Sequence, residues 1–354
     1  LYMIKNFKSS NFRDSQIYDP KIFIVILNWN LWECTIRCLE SVFNLNYSNY
    51  EVVVVDNGSN NDSINKIKEY ANGKLKINSK FFDYNHEDKP INFSELQESD
   101  IISKTHINNL NSNRQLSIIR NDRNYGFAKG NNIGIKWALE NNADYVLVLN
   151  NDTVIDENFI APMLKLFEED SDIWMMGPKT YFYDNENLIH SAGGYLNLFW
   201  GITKHIGILE EDKGQYDTIK SVNFMTGCAL MVKKEMLNEI GLFDESYFTY
   251  YEDADLCFRV SERGKKIFYL PQSKIWHMVS QTSGDFNPVT SYYLTRNRLK
   301  FVKDHNPKYL FFSLIHILFV DLFVNLSKLK FNNVKMIFIG IYHFSIGKQG
   351  YYGN

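Results

Sequence analysis

Four times before residue 170 the chain repeats one pattern: an apolar run of strand length, a polar stop, then a stretch with helical spacing. Ile22 to Leu27 (IFIVIL) ends in Asn28-Trp29-Asn30 and leads into an amphipathic segment from Trp32 to Phe43. Glu51 to Val55 (EVVVV) stops at Asp56-Asn57-Gly58-Ser59, ahead of a helix near Ser63 to Tyr70. Leu116 to Arg120 stops at Asn121, ahead of a helix near Ala128 to Glu140. Tyr145 to Leu149 stops at Asn150-Asn151-Asp152, ahead of one from about Glu157. A strand that is apolar on both faces must be covered on both. The repeat therefore predicts an α/β fold, a Rossmann-like, mostly parallel sheet flanked by helices. After residue 177 the alternation stops. Short strand-like pieces follow, then a helix from Glu252 to Gly264, an exposed turn at Leu270-Pro271 and a helical C-terminal part beginning near Val289.

The chain has 354 residues, 45% hydrophobic and 15% aromatic, which is enough for a real core and excludes a disordered or disulfide-stapled protein. Its net charge of -3, without a long basic run, excludes an electrostatic footprint for nucleic acid. That average hides a split: residues 286 to 354 hold nine Lys or Arg against two acids. Four cysteines (Cys34, Cys38, Cys228, Cys257) show no CxxC spacing and read as reduced thiols of a cytoplasmic protein. The expected organisation is an extension over 1–20, a main body over 21–305 and a helical segment over 306–354. The body divides into the parts 21–152 and 153–305. The polar segment 74–114 is too long for an ordinary connection, so it is either a flap over the crevice or a disordered insertion.

In a parallel sheet the ligand lies beyond the carboxyl ends of the strands. The residues there are Asn28, Asn30, Asp56, Ser59, Asn124 and Asp152, all polar and none cationic. Such a set suits a ligand held by hydrogen bonds and a metal, and it also suits ordinary turns. In Tyr250 to Arg259 (YYEDADLCFR), Glu252 and Asp255 share a helix face while Asp253 points about 100° away, so one face can look into a cleft while the other pairs. Those acids are either a general base with its neighbours or simple partners of the helix dipole. His277 offers an imidazole to a metal or phosphate. Gly126, Gly130 and Gly134 fall on one helix face, a spacing for close packing and not for a dinucleotide fingerprint.

Taken in order, these segments resemble the inverting nucleotide-sugar glycosyltransferases of family two, in particular their rhamnosyltransferase-like branch. The likeness runs from about Ile22 to Val302. It rests on Asn28-Trp29-Asn30, Val55-Asp56-Asn57-Gly58-Ser59, Asn124-Tyr125-Gly126-Phe127 with Gly130-Asn131-Asn132, and Leu149-Asn150-Asn151-Asp152. It continues through Thr226-Gly227-Cys228-Ala229, Gly241-Leu242-Phe243-Asp244-Glu245, Tyr251-Glu252-Asp253-Ala254-Asp255-Leu256, His277 and Arg296-Asn297. The resemblance implies a glycosyltransferase fold of the A type, with 21–305 as the catalytic domain, 21–152 as its nucleotide-binding half and 153–305 as its acceptor and catalytic half. It also implies a nucleotide-sugar donor, a saccharide or lipid-linked saccharide acceptor and Mg2+ or Mn2+ as cofactor. By it, Asp56 meets the nucleoside base, Asp152 holds the metal on the diphosphate, His277 is a further metal or diphosphate contact, and Asp253 is the general base. Asn28, Asn30, Ser59, Asn124, Gly126, Asn131 and Asn151 fall to the nucleotide, with Arg296 and Asn297 near the leaving phosphates. One departure stands out. Asn150 occupies the first place of a metal motif that is often Asp-x-Asp, leaving one carboxylate fewer.

Two other functions are weighed on the same residues. A sugar nucleotidylyltransferase needs a glycine-rich, basic loop after the first strand, whereas NWNLWECT has neither glycine nor lysine. A catalytically silent sugar-nucleotide or glycan-binding module differs from an enzyme in having no turnover that depends on Asp253. Finally, Tyr309 to Ser327 (YLFFSLIHILFVDLFVNLS) would reach about 28 Å as a helix, with basic residues on both sides. Lying in the inner face of the cell membrane, packing on the body, pairing in a homodimer and spanning the bilayer are the alternatives for it.

Overall fold

A computed structural model describes residues 19–102, 114–278 and 287–353. All but two residues of the expected 1–20 extension lie outside this range. The first repeat unit forms β1 (Ile22–Asn28) and α1 (Trp32–Phe43), and the second forms β2 (Tyr50–Asp56) and α2 (Ser63–Ala71). A strand β3 (Asn92–Gln97) and a short helix α3 (Glu98–Ile102) precede the third unit, β4 (Arg114–Arg120) and α4 (Gly126–Glu140). The fourth unit is β5 (Tyr145–Asn150), the short β6 (Thr153–Ile155) and α5 (Ile160–Glu169). Then come β7 (Ile173–Phe182), β8 (Ile189–Ser191), a hairpin of β9 (Gly194–Asn197) and β10 (Ile202–His205), β11 (Lys220–Val222) and β12 (Ala229–Lys233). After these lie α6 (Lys234–Ile240), α7 (Glu252–Glu262), β13 (Lys266–His277) and α8 (Pro288–His305).

The sheet runs β11-β13-β7-β12-β5-β1-β2-β4-β3, with β6 beside β13 and β8 beside β7. Parallel register sets Asn28 opposite Asp56, Leu27 opposite Asn150 and Asp56 opposite Arg120, so the polar stops stand level at one edge. β12 is antiparallel to both β5 and β7, which returns β7 and its parallel partner β13 to the direction of β1. β13 thus ends at the same edge, where His277 pairs with Thr153 of β6. Because β5 of the first expected half bonds to β12 of the second, one sheet spans both.

Phe23, Val25, Val53 and Val55 pack toward α4 and α7, while Ile22, Ile24, Val52 and Val54 pack toward α1, α2 and α5. Both faces of these strands are buried, as an unbroken apolar run requires. On α4 an added Cβ at Gly130 would lie 2.6 Å from Leu27, and one at Gly134 would lie 2.5 Å from Val25, so those glycines let the helix sit close on the sheet.

Two expectations change. Residues 92–97 of the polar segment form the edge strand β3 paired with β4, so this part is neither flap nor disordered. The chain before it is tied to α1 by the buried Lys89–Glu40 ion pair, and its turn brings Phe81 against Trp276, with ring centroids 4.4 Å apart. Residues 103–113 of that segment lie outside the described range. Leu270-Pro271 is a buried irregularity inside β13, with a register shift between Leu270 and Lys274, where a proline without an N–H is tolerated.

Candidate active site

At the ends of β1 and β2 a closed set of hydrogen bonds shapes a polar shelf. The Asn28 amide donates to Asp56 Oδ1 at 2.7 Å, and the Ser59 hydroxyl donates to the same oxygen at 2.6 Å. The Ser59 N–H donates to Asp56 Oδ2 at 3.0 Å, and Ser59 Oγ in turn accepts the Asn30 N–H at 2.9 Å. Asn30 sits at φ 58°, in the left-handed region that asparagine enters more readily than most side chains. The shelf continues toward β5, because Thr35 donates to Asn28 Oδ1 at 2.8 Å and receives the Asn151 amide at 3.0 Å. Toward α4 the link is Asn57, whose amide donates to Asn124 Oδ1 at 2.9 Å and to the Gly126 carbonyl at 3.1 Å. Gly126 has φ 82°, and a Cβ there would lie 2.2 Å from the Phe248 carbonyl, so only glycine fits.

Next to this shelf Asp152 and His277 converge, with Oδ1 and Nε2 3.1 Å apart. Burial opposes charge on His277, but the adjoining Cys228 and the Asp152 carboxylate outweigh it and hold its pKa well above the ordinary value. His190 stands edge-on to His277 at 5.1 Å, and His205 lies 5.2 Å from His190. Burial first, and the facing His277 second, pushes the His205 pKa down to about 4, so this ring is neutral at physiological pH.

The third part is the start of α7. Asp253 Oδ2 accepts the Gly227 N–H at 2.9 Å and Oδ1 accepts the Ala254 N–H at 2.8 Å. Burial raises its pKa, and those backbone donors hold it back. Glu252 is nearly buried with Oε2 unpartnered, and burial together with the Asp253 charge lifts its pKa well above the carboxylate range. Asp255 is different. It takes Arg259 Nε and His305 Nε2, both at 2.8 Å, and so fastens α7 to α8 on the face away from the cleft. A two-residue bridge joins Asp253 to the metal-motif loop: Gly227 holds Asp253, and the carbonyl of the next residue, Cys228, accepts the Asn150 N–H at 2.9 Å.

A divalent cation can be tested against these donors. Asp152 and His277 are a carboxylate and an imidazole directed at one point, and Asn150 adds no charge. Among the described residues no group of three or more His, Cys, Asp or Glu could hold a metal ion alone. Two protein donors plus a ligand diphosphate and water fit the way Mg2+ or Mn2+ binds with phosphates. The residues therefore suit a metal that arrives with its nucleotide.

The sequence profile of glycosyl transferase family 2 matches residues 23–96 and 97–241. The chain belongs to glycosyl transferase family 2. It is 29% identical over 214 residues to a dTDP-rhamnosyl transferase, RfbF, of Shigella flexneri, covering 55% of this chain and 67% of that protein. It is 28% identical over 149 residues to the low-salt glycan biosynthesis hexosyltransferase Agl10 of Haloferax volcanii, covering 42% of this chain and 47% of that one. With the rhamnosyltransferase WbbL of Escherichia coli it shares 25% over 175 residues, covering 46% of this chain and 64% of that one. The fold matches GalNAc-T7 with UDP, GalNAc and Mn2+ at TM-score 0.57 and 18% identity, over 82% of this chain and 50% of that one. It matches the mannosyltransferase PcManGT of Pyrobaculum calidifontis with GDP-Man and Mn2+ at 0.54 and 11%, over 96% and 79%.

The matched part of this family 2 chain ends at Gly241, before α7 and His277, so those residues stand on geometry. The structure gathers Asn28, Asn30, Asp56, Ser59 and Asn151 into one network and places Asn124 and Gly126 beside it. Asn131 lies inside α4, buried, with its amide on the Phe127 carbonyl and its oxygen unpartnered. Arg296 and Asn297, expected at the leaving phosphates, are buried in α8 and bonded to protein. Arg296 reaches the Gly350 carbonyl at 2.8 Å and lies over the Tyr292 and Tyr293 rings. Asn297 donates to the Thr249 and Tyr250 carbonyls, both at 2.8 Å, and so holds the turn before Glu252.

Sequence reasoning missed Asn57, Thr35, the histidine pair and a cleft of about 440 Å³ lined by Trp29, Asn124, Phe248, Tyr250, Tyr293 and Tyr351 among others. Asn57, Trp29, Asn124 and Tyr250 stood in quoted segments and were legible; His190, His205 and the cleft residues Phe248, Tyr293 and Tyr351 come from segments with no common sequence signal.

Proposed function

We propose that this protein is an inverting glycosyltransferase that moves a sugar from a nucleoside diphosphate, a dTDP- or UDP-sugar, to a hydroxyl of a saccharide. The observation that supports the reading is the bridge Asp253–Gly227–Cys228–Asn150, which ties the Asp253 carboxylate to the strand end that leads into Asp152 although 101 positions separate the two aspartates. In the reaction Asp253 takes the proton of the acceptor hydroxyl. The new bond forms at the anomeric carbon as the bond to the diphosphate breaks, so one displacement inverts configuration. Asp56, Ser59 and Asn28 position the nucleoside, and Asn151 continues the shelf toward the diphosphate. A divalent cation held by Asp152 and His277 would supply positive charge to the leaving diphosphate. The His190 ring stands against His277 on that side, with His205 behind it. The aromatic cleft before α7 offers flat faces and the Asn124 and Asn287 amides, chemistry that suits a pyranose acceptor.

Given the relatives, dTDP-rhamnose is the first donor to test, and the acceptor belongs to surface polysaccharide or glycan synthesis. A lipid-linked acceptor at the cytoplasmic face of the cell membrane completes the reading. The test is turnover of a panel of nucleotide sugars with and without manganese. Turnover should stop with excess chelator and the product should have the opposite anomeric configuration. Undiminished turnover in chelator would refute the metal role, and donor binding without any transfer or hydrolysis would favour a silent binding module.

A further inference from the structure

The C-terminal helices bury one apolar face against the body, with Ile317, Leu322 and Ile337 packed beside Leu299, and leave a second apolar face exposed. Past α8 the chain forms α9 (Leu310–His316), a π-helical turn, α10 (Leu322–Ser327) and α11 (Phe331–Ser345). Ser313 and His316 of α9 and Asp321 of the π-helical turn face the body. Ser313 is fully buried, the His316 ring lies 5.5 Å from that of Trp200, and Asp321 takes Arg298 Nη1 at 2.8 Å. The large apolar residues turn outward: Phe311 is 66% exposed, Phe319 72% and Phe323 69%, and Leu329, Phe331 and Phe338 extend the face across α11. A contiguous phenylalanine-rich face of this kind is not left in water without a partner.

We propose that this face docks on an anionic lipid leaflet, with α9 and α10 lying in the headgroup boundary. Charge selects this occupant. Residues 306–354 carry five lysines and one acid, and that acid, Asp321, is already paired with Arg298. Exposed Lys308, Lys328 and Lys335 border the apolar face, an arrangement that anionic headgroups complement and that a second copy of the same surface would repel. Pro307–Ser327 is long and apolar enough to cross a membrane. Crossing would strip Ser313, His316 and Asp321 from the body and leave Arg298 buried without its carboxylate, whereas lying flat keeps every one of those contacts. The attachment begins at about Pro307, because α8 is core: Leu299, Phe301 and Val302 are buried within the domain. This inference does not rest on the catalytic reading.

The experiment is cosedimentation of the full chain with phosphatidylcholine vesicles, with and without phosphatidylglycerol. Binding should need the anionic lipid, weaken several-fold when salt is raised, and fall at least about tenfold in a Phe319→Ser, Phe323→Ser variant. Both side chains are exposed, so that variant should keep its circular dichroism spectrum, and transfer to a soluble acceptor should be unaltered. Three results would overturn the proposal. One is a full chain that binds no vesicle. Another is a dimer that the variant converts to monomer. The third is binding that resists both high salt and alkaline carbonate, which means a spanning helix.

Discussion

Two neighbouring carboxyls with opposite roles sit at the head of α7. Asp253 faces backbone donors, the N–H groups of Gly227 and Ala254. Glu252 is buried with one oxygen unpartnered, and burial together with the Asp253 charge pushes it toward its neutral form. Asp253→Asn should lower kcat by about 10²–10⁴ while nucleotide affinity stays within about twofold, measured by single-turnover transfer and calorimetry. Equal losses in both would make Asp253 a binding residue. Glu252→Gln keeps the side-chain shape and should cost far less. The pH dependence follows from sign. The base must be deprotonated to work and burial raises its pKa, so kcat/KM should fall with acid at a pH above the ordinary aspartate value of 3.8. An acid limb at or below that value would contradict the burial seen here.

Backbone strain gathers in the turn that feeds α7. Tyr250 and Tyr251 both have positive φ, 66° and 77°, which side chains of this size rarely adopt. Asn297 offsets the strain through its two bonds to the Thr249 and Tyr250 carbonyls, and the Tyr251 hydroxyl ties to the Gly201 carbonyl at 2.6 Å. Asn297→Asp would turn an acceptor toward two carbonyls. It should destabilise the fold by about 1–3 kcal/mol in urea unfolding and lower kcat more than it raises the donor KM. A change in the donor KM alone would mean that Asn297 touches the nucleotide after all. This residue also marks the limit of sequence reading. Buried parallel strands are written as unbroken apolar runs, so β1, β2, β4 and β5 and the polar stops that end them were legible. Asn297 and Arg296 were recognised by motif, but a motif carries no direction, and only packing shows that their polar atoms turn inward. β3 was missed because an edge strand needs no apolar run, and β13 was broken in two on paper because its bulge admits a proline.

Across the whole molecule, the expected halves 21–152 and 153–305 share one sheet and one site. β5 pairs with β1 on one side and with β12 on the other, so neither half can close its core alone. The site repeats this division: Asp56 and Asp152 come from the first half, and Asp253 and His277 from the second. A nucleoside diphosphate with its cation would touch both, and binding to the folded state alone stabilises it by about 2.7 kcal/mol when free ligand is a hundredfold above Kd. Unfolding of the catalytic domain should therefore appear as one thermal transition that dTDP or UDP with manganese moves upward as a unit. Asp152→Ala should remove most of the manganese-dependent part of that shift while leaving the transition single, since its side chain is partly exposed and bonds only to His277 among the described residues. Two transitions, only one of them moved by the nucleotide, would show instead that the halves fold separately and that the shelf at β1 and β2 binds without the second half.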